Sequence, residues 1–293
     1  MDGTNRFYLF IWKTERQQDV EHVVRCVLCY DKCRPNPECP AGAPGPQEVD
    51  VDLVFVVDSS YGVDADVYRW SLSLVDAVLE DLEVAEQPGT SHHGARVALV
   101  THTTPNFWPG VGRLPVLEGF HLTTYGHRTQ MQRHVRQAAG RPLRGTPALG
   151  HALEWTLENV LVAAPLPRRA RVLFAIVASE TSSWDREKLW TLSLEAKCKG
   201  ITLFVLAWGP GVGTDELAEL ASVVSTPSEQ HLLRLQGVSE PEVTYARRFT
   251  RAFLSLLKSE QSLVLGHLGW SGERNLQSLA FGQAGAYCTF TIA

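Results

Sequence analysis

From Val51 onward the chain alternates near-continuous apolar runs with amphipathic stretches, and the period of each run predicts its structure. Val51–Asp58 (VDLVFVVD) is apolar almost throughout and ends in an acid, the pattern of a parallel strand buried on both faces. Asp64–Val84 follows, with Leu72, Val75, Leu79 and Leu82 at helical spacing. Further strands are predicted at Ala95–Thr101, Ala170–Ala178 and Ile201–Trp208, with a short fifth at Gln230–Leu235. The helical period recurs over His127–Ala139, Pro147–Ala163, Asp185–Lys199 and Thr214–Val224. A last helix, Pro241–Lys258, sets Ala246, Phe249, Phe253 and Leu256 on one face. Strands alternating with helices make a mostly parallel sheet covered on both sides, a doubly wound, Rossmann-like α/β fold.

The flanks break this pattern. Residues 1–46 form a Cys/Pro-rich segment: Cys26, Cys29, Cys33 and Cys39 fall close together, and Arg34–Gln47 carries five prolines and two glycines, which reads as a stiff linker. The domain is expected over 47–258, and 259–293, which has no sustained period, as an irregular, unstructured tail. The apolar patch Phe7–Trp12 is short and is followed at once by Glu15 and Arg16, so it does not read as a secretory signal. The expectation is a cytosolic protein or one piece of a longer secreted chain. Composition narrows the classes further. Of 293 residues, 44% are apolar and 20% charged, enough for a sizeable core. The formal charge of −5 argues against a nucleic-acid partner. No apolar run approaches the roughly 18 residues that membrane insertion needs. The 23 glycines follow no every-third-residue period, which excludes a triple helix.

Ligands of open α/β sheets sit beyond the carboxyl ends of the strands. Three segments meet there: Asp58-Ser59-Ser60-Tyr61-Gly62, Gly145-Thr146-Pro147 and Ala178-Ser179-Glu180. They supply a carboxylate and several hydroxyls, the hard oxygen donors that Mg²⁺ prefers. Thr146-Pro147 is equally a good helix start, with the hydroxyl capping free N–H groups, and Ser60 can bond within its own turn. The run C-x₂-C-x₃-C-x₅-C admits a zinc half-site or disulfides. Cys198, on an amphipathic helix, reads as a small buried core residue, with pairing the alternative that nothing local supports, and Cys288 has no obvious partner. Gly209-Pro210-Gly211-Val212-Gly213 has the wrong spacing for a dinucleotide loop and reads as a tight connection. His92-His93 reads as a solvated loop. No G-x-S-x-G elbow anchors a hydrolase triad. Trp12, Trp70, Trp108, Trp155, Trp184, Trp190 and Trp208 read as packing residues.

The acid-Ser-Ser turn after the first strand and the Gly-Thr helix start resemble the von Willebrand factor type A domain. More narrowly, Phe120–Gly126 (FHLTTYG), Leu143–Val160 (LRGTPALGHALEWTLENV) and Glu195–Gly200 (EAKCKG) resemble the last such domain of type VI collagen chains of the alpha-3-like group. The resemblance covers about Cys26–Lys258, and residues 261–293 match nothing in those chains, which suggests a truncated or fragmentary product. It implies a non-enzymatic, secreted matrix module whose partners are other collagen VI-like chains or matrix proteins, and disulfides for the four clustered cysteines. The family's metal site is Asp-x-Ser-x-Ser, a Thr, and a later Asp. Asp58, Ser60 and Thr146 match it, whereas Gly62 stands for the second Ser and Ser179 for the second Asp. Glu180 is one position off and is expected to point elsewhere. The implied site is therefore degenerate, with no cofactor or only weak Mg²⁺. The alternative is an Mg²⁺-dependent adhesion domain that binds an acidic ligand. A nucleotide-binding enzyme is opposed by the loops.

Overall fold

The computed structural model describes residues 48–140 and 144–235, together with Thr250, Phe253, Leu254 and Leu257. Strand β1 is Val51–Asp58, with all eight residues buried. It is the apolar run expected of a strand covered on both faces. Helix α1 (Ala65–Glu80) follows, and its start is fixed by Asp64, whose Oδ1 accepts from the Asp66 N–H at 2.7 Å. Next come β2 (Arg96–His102), β3 (Val116–Phe120) and α2 (Arg128–Ala138). Helix α3 (Leu149–Thr156) runs on into a π-helical stretch, Leu157–Val162. Then follow β4 (Ala170–Ser179), α4 (Arg186–Cys198), β5 (Thr202–Gly211), α5 (Thr214–Val223), the short α6 (Ser228–His231) and β6 (Leu232–Leu235).

The six strands lie in the order β3-β2-β1-β4-β5-β6, and every pairing is parallel except β2–β3. The alternation of side chains along β1 divides the core in two. Leu53, Phe55 and Val57 face one layer, where Leu72, Val75 and Leu79 of α1 pack with Phe253. Val54 and Val56 face the other, against Leu149 and Leu153 of α3, Leu189 and Leu192 of α4, and Leu217 and Leu220 of α5. The sheet is thus doubly wound, and the carboxyl ends of its central strands converge on one edge.

Several sequence readings need correction. Strand β3 was not anticipated: only Val116 and Phe120 of VLEGF are buried, so it carries no strong apolar signal. Strand β5 runs through Gly211, three residues past the predicted end, absorbing part of the Gly-Pro-Gly stretch. Gln230 and His231 belong to α6, not to the last strand. The first helix stops at Glu80, and Val84 instead bridges Ala95 as an isolated strand pair. Cys198 is exposed and disulfide-bonded rather than a core residue, its partner lying outside the described residues. An amphipathic pattern that counts cysteine as apolar misplaces it. Trp208 is buried against Trp70, ring centroids 4.4 Å apart, whereas Trp108 and Trp190 are each 55% exposed and so are not core residues, although Trp108 rests on the Trp184 ring. The cysteine cluster, Trp12, Cys288 and the tail lie outside the described residues, as does Leu256 of the last predicted helix. Among its described residues Phe253, Leu254 and Leu257 are buried. No helix among the described residues is long and apolar enough to cross a membrane.

Candidate functional site

Asp58 ends β1 at the convergence of strands and is 2% exposed. Burial of a charged carboxylate demands donors, and three surround it. Its Oδ1 accepts from the Ser60 N–H at 3.0 Å, and its Oδ2 accepts from the Ala178 N–H at 3.1 Å and from the Ser179 hydroxyl at 2.7 Å. The Ser60 and Ser179 hydroxyls are 2.8 Å apart. Because Ser179 gives its proton to Asp58, Ser60 is the donor in that contact, and the chain Ser60→Ser179→Asp58 is closed within the protein. Ser59 is used structurally, its hydroxyl donating to the His102 carbonyl at 2.9 Å.

The second loop is locked to the first by backbone. The Tyr61 N–H donates to the Gly145 carbonyl at 2.8 Å, the Arg144 N–H to the Ser59 carbonyl at 2.7 Å, and the Gly145 N–H to the Thr103 carbonyl. A Cβ at Gly145 would stand 2.4 Å from the carbonyl oxygens of both Thr103 and Thr104, so only glycine permits this approach. Thr146 is thereby brought beside the Asp58 turn. It does not cap a helix: α3 begins at Leu149, and the Thr146 hydroxyl has no partner among the described residues. The cap comes instead from the fully buried Asp185, whose carboxylate accepts from the Gly150 and His151 N–H groups and touches the His151 ring.

His102, at the end of β2, was not anticipated. It is buried, its Nδ1 lies 3.2 Å from the Thr103 hydroxyl, and its Nε2 sits 4.0 Å from Asp58 Oδ1 with no hydrogen-bond partner in the protein. Burial pushes the His102 imidazole down from its ordinary value, and the carboxylates of Asp58 and Asp185 pull back only in part. A histidine at a strand end has no spacing that marks it, so periodicity could not find it. Glu180 is exposed and its carboxylate lies beside Gly213.

This donor set does not fit a magnesium ion as it stands. Mg²⁺ requires near-octahedral oxygens at about 2.0–2.1 Å. Here the single carboxylate already accepts three hydrogen bonds, Ser179 lends its proton where the family places a second acid, and Gly62 supplies no side-chain oxygen. Among the described residues no group of three or more His, Cys, Asp or Glu side chains is arranged to hold a metal.

A six-stranded, mostly parallel sheet carrying an acid-Ser-Ser turn and a Gly-Thr loop at its carboxyl edge defines a doubly wound α/β domain with a polar site at its strand ends. The von Willebrand factor type A domain profile matches residues 52–245, and the chain belongs to that family. It is 71% identical over 259 residues to the mouse collagen alpha-4(VI) chain, covering 88% of this chain and 11% of that one. It is 37% identical over 239 residues to the human collagen alpha-6(VI) chain, covering 82% and 10%. The chain thus spans about a tenth of the length of these collagen relatives. Among solved structures, proximal thread matrix protein 1 of the mussel byssus, described with a zinc-occupied MIDAS motif, superposes with a TM-score of 0.54 at 15% identity, covering 71% of this chain and 46% of that one. That likeness is one of fold.

Proposed function

We infer that this chain supplies a non-enzymatic, metal-independent interaction module of the extracellular matrix, joining collagen VI-like chains to one another or to other matrix proteins and supporting cell adhesion. The observation that carries the reading is the closed hydrogen-bond chain Ser60→Ser179→Asp58, which spends on the protein itself the oxygens that a metal-dependent relative would offer to an ion. The 71% identity to a collagen alpha-4(VI) chain supports the setting. On this reading the product is secreted, and residues 47–258 are the module. Residues 1–46 are then a linker whose four clustered cysteines are oxidised, and 259–293 are a tail outside the domain.

The metal-dependent alternative has one observation in its favour, the hydroxyl of Thr146 beside the Asp58 turn, which has no partner among the described residues. Adhesion of cells or matrix chains to the immobilised protein, with and without EDTA, separates the two: binding that survives chelation is expected. Melting is expected to be unchanged by millimolar Mg²⁺. A saturating ion would add about 2.7 kcal/mol at a hundredfold excess over Kd, several degrees in Tm. The double change Gly62→Ser with Ser179→Asp should make melting Mg²⁺-dependent. In the single change Gly62→Ser the new Cβ meets the Ser179 Cβ at 3.1 Å, so that loop must shift by a few tenths of an ångström. A saturable Mg²⁺ shift in the unmodified protein, abolished by Thr146→Ala, would overturn this reading in favour of the metal-dependent one.

A further inference from the structure

The loop joining β2 to β3 and helix α3 flank an open cleft of about 210 Å³. Phe107 and Pro115, both buried, back one wall, and the half-buried His151 and Trp155 form the other. The Phe107 and His151 rings are 5.6 Å apart, edge to face. Trp108, 55% exposed, leans on Trp184 at 5.0 Å and extends the aromatic surface. Two carboxylates stand on the rim, Glu154 and Glu158. Lys188 neutralises the first at 2.7 Å, whereas Glu158 is exposed and has no partner among the described residues. Aromatic and proline walls with an unneutralised acid at one end fit an extended proline-rich strand: its rings lie flat on aromatic faces, and a basic residue reaches the acid.

The chain carries a sequence of that composition. Arg34–Pro46 holds Pro35, Pro37, Pro40, Pro44 and Pro46 behind Arg34, and lies outside the described residues. We propose that the cleft docks Arg34–Pro46 of a second copy of this chain, with Arg34 against Glu158 and the prolines on the half-buried His151 and Trp155. The segment enters at the amino end of β1, and the cleft is at the carboxyl end of the sheet. Docking in cis would force it back up a strand about 26 Å tall and across to the α3 side, a detour that a second copy avoids. The proposal rests on the metal-independent reading and gives it a contact.

The probe is a fluorescein-labelled peptide of residues 34–46 with Cys39→Ser, titrated with the full chain and read by anisotropy. The expected result is saturable binding, weakened tenfold or more by Glu158→Lys or Trp155→Ala in the protein and by Arg34→Glu in the peptide. Sedimentation velocity should show concentration-dependent self-association that Glu158→Lys abolishes. No saturable binding, or binding indifferent to the exposed change Glu158→Lys, overturns the proposal. Peptide that binds an Arg34→Glu chain but not the unmodified chain would place the segment in its own cleft and overturn docking between copies. EDTA-resistant adhesion kept while the peptide fails to bind sinks this contact alone. Adhesion lost to EDTA while the peptide still binds sinks the functional reading alone.

Discussion

Ser179 stands at the centre of the site's chemistry, because it serves Asp58 and Ser60 at once. Ser179→Ala would leave the buried carboxylate with one donor fewer and the Ser60 hydroxyl without its acceptor. The expected loss is about 1–3 kcal/mol, read as a lower urea midpoint at unchanged m-value. His102 gives the domain a pH dependence. Its folded pKa lies below the unfolded value of about 6.5, so the unfolded state binds more protons in that window. This contribution is therefore complete above pH 6.5 and is lost as pH falls toward the depressed folded value. Melting at pH 5.5 should lie below that at pH 7.5 in matched salt, and His102→Asn should flatten the slope. A slope unchanged in the variant would assign the effect to another group. Asp58, Ser60 and Ser179 were legible beforehand because turn residues after apolar strands declare their place. His102 was hidden, since its role depends on which strand lies beside β1. Cys198 was misread because amphipathic position says nothing about a thiol's oxidation.

At the scale of the element, the helix periods were readable and their ends were not. Helix α3 shows why. Thr146-Pro147 has the chemistry of a cap, yet the acceptor that serves the Gly150 and His151 N–H groups is Asp185, 35 residues further on in sequence. A local pattern cannot foresee a cap delivered from another element. Asp185→Ala should cost about 1–2 kcal/mol, with the loss concentrated in α3 and visible as faster amide exchange there. If exchange in α3 is unchanged, the carboxylate is not its cap. Strand β3 was missed for a related reason: its place is specified by pairing with β2, which holds a strand whose middle residues face solvent. The parallel strands needed no such help, because burial on both faces writes itself into the composition.

Over the whole molecule, the end of the sheet away from the site is held by ionic contacts. The guanidinium of Arg96, fully buried, meets both carboxylate oxygens of Asp52, at 2.6 and 2.8 Å. It also donates to the carbonyls of Pro88 and Pro165, at 3.1 and 2.7 Å. Arg168 donates its backbone N–H to Asp52 and its side chain to the carbonyls of Ser91, His93 and Gly94. Arg96→Met alone would strand a buried carboxylate and should cost about 3–5 kcal/mol. The paired change Arg96→Met with Asp52→Leu should recover most of it, as measured by thermal melting in a double-mutant cycle. Failure to recover would mean that the groups left unpaired by the double change, the Pro88 and Pro165 carbonyls and the Arg168 N–H, outweigh the ion pair.

The position of β1 has a mechanical consequence. The first strand of the domain is also its central one, paired along its length with β2 on one side and β4 on the other, both parallel. A tensile load arriving from the amino-terminal side pulls along β1 and shears two ladders of backbone hydrogen bonds together, so no ladder opens rung by rung. Rupture then requires many bonds to fail at once, which raises the force the domain bears before it gives way. A domain loaded through a middle strand is built to bear tension.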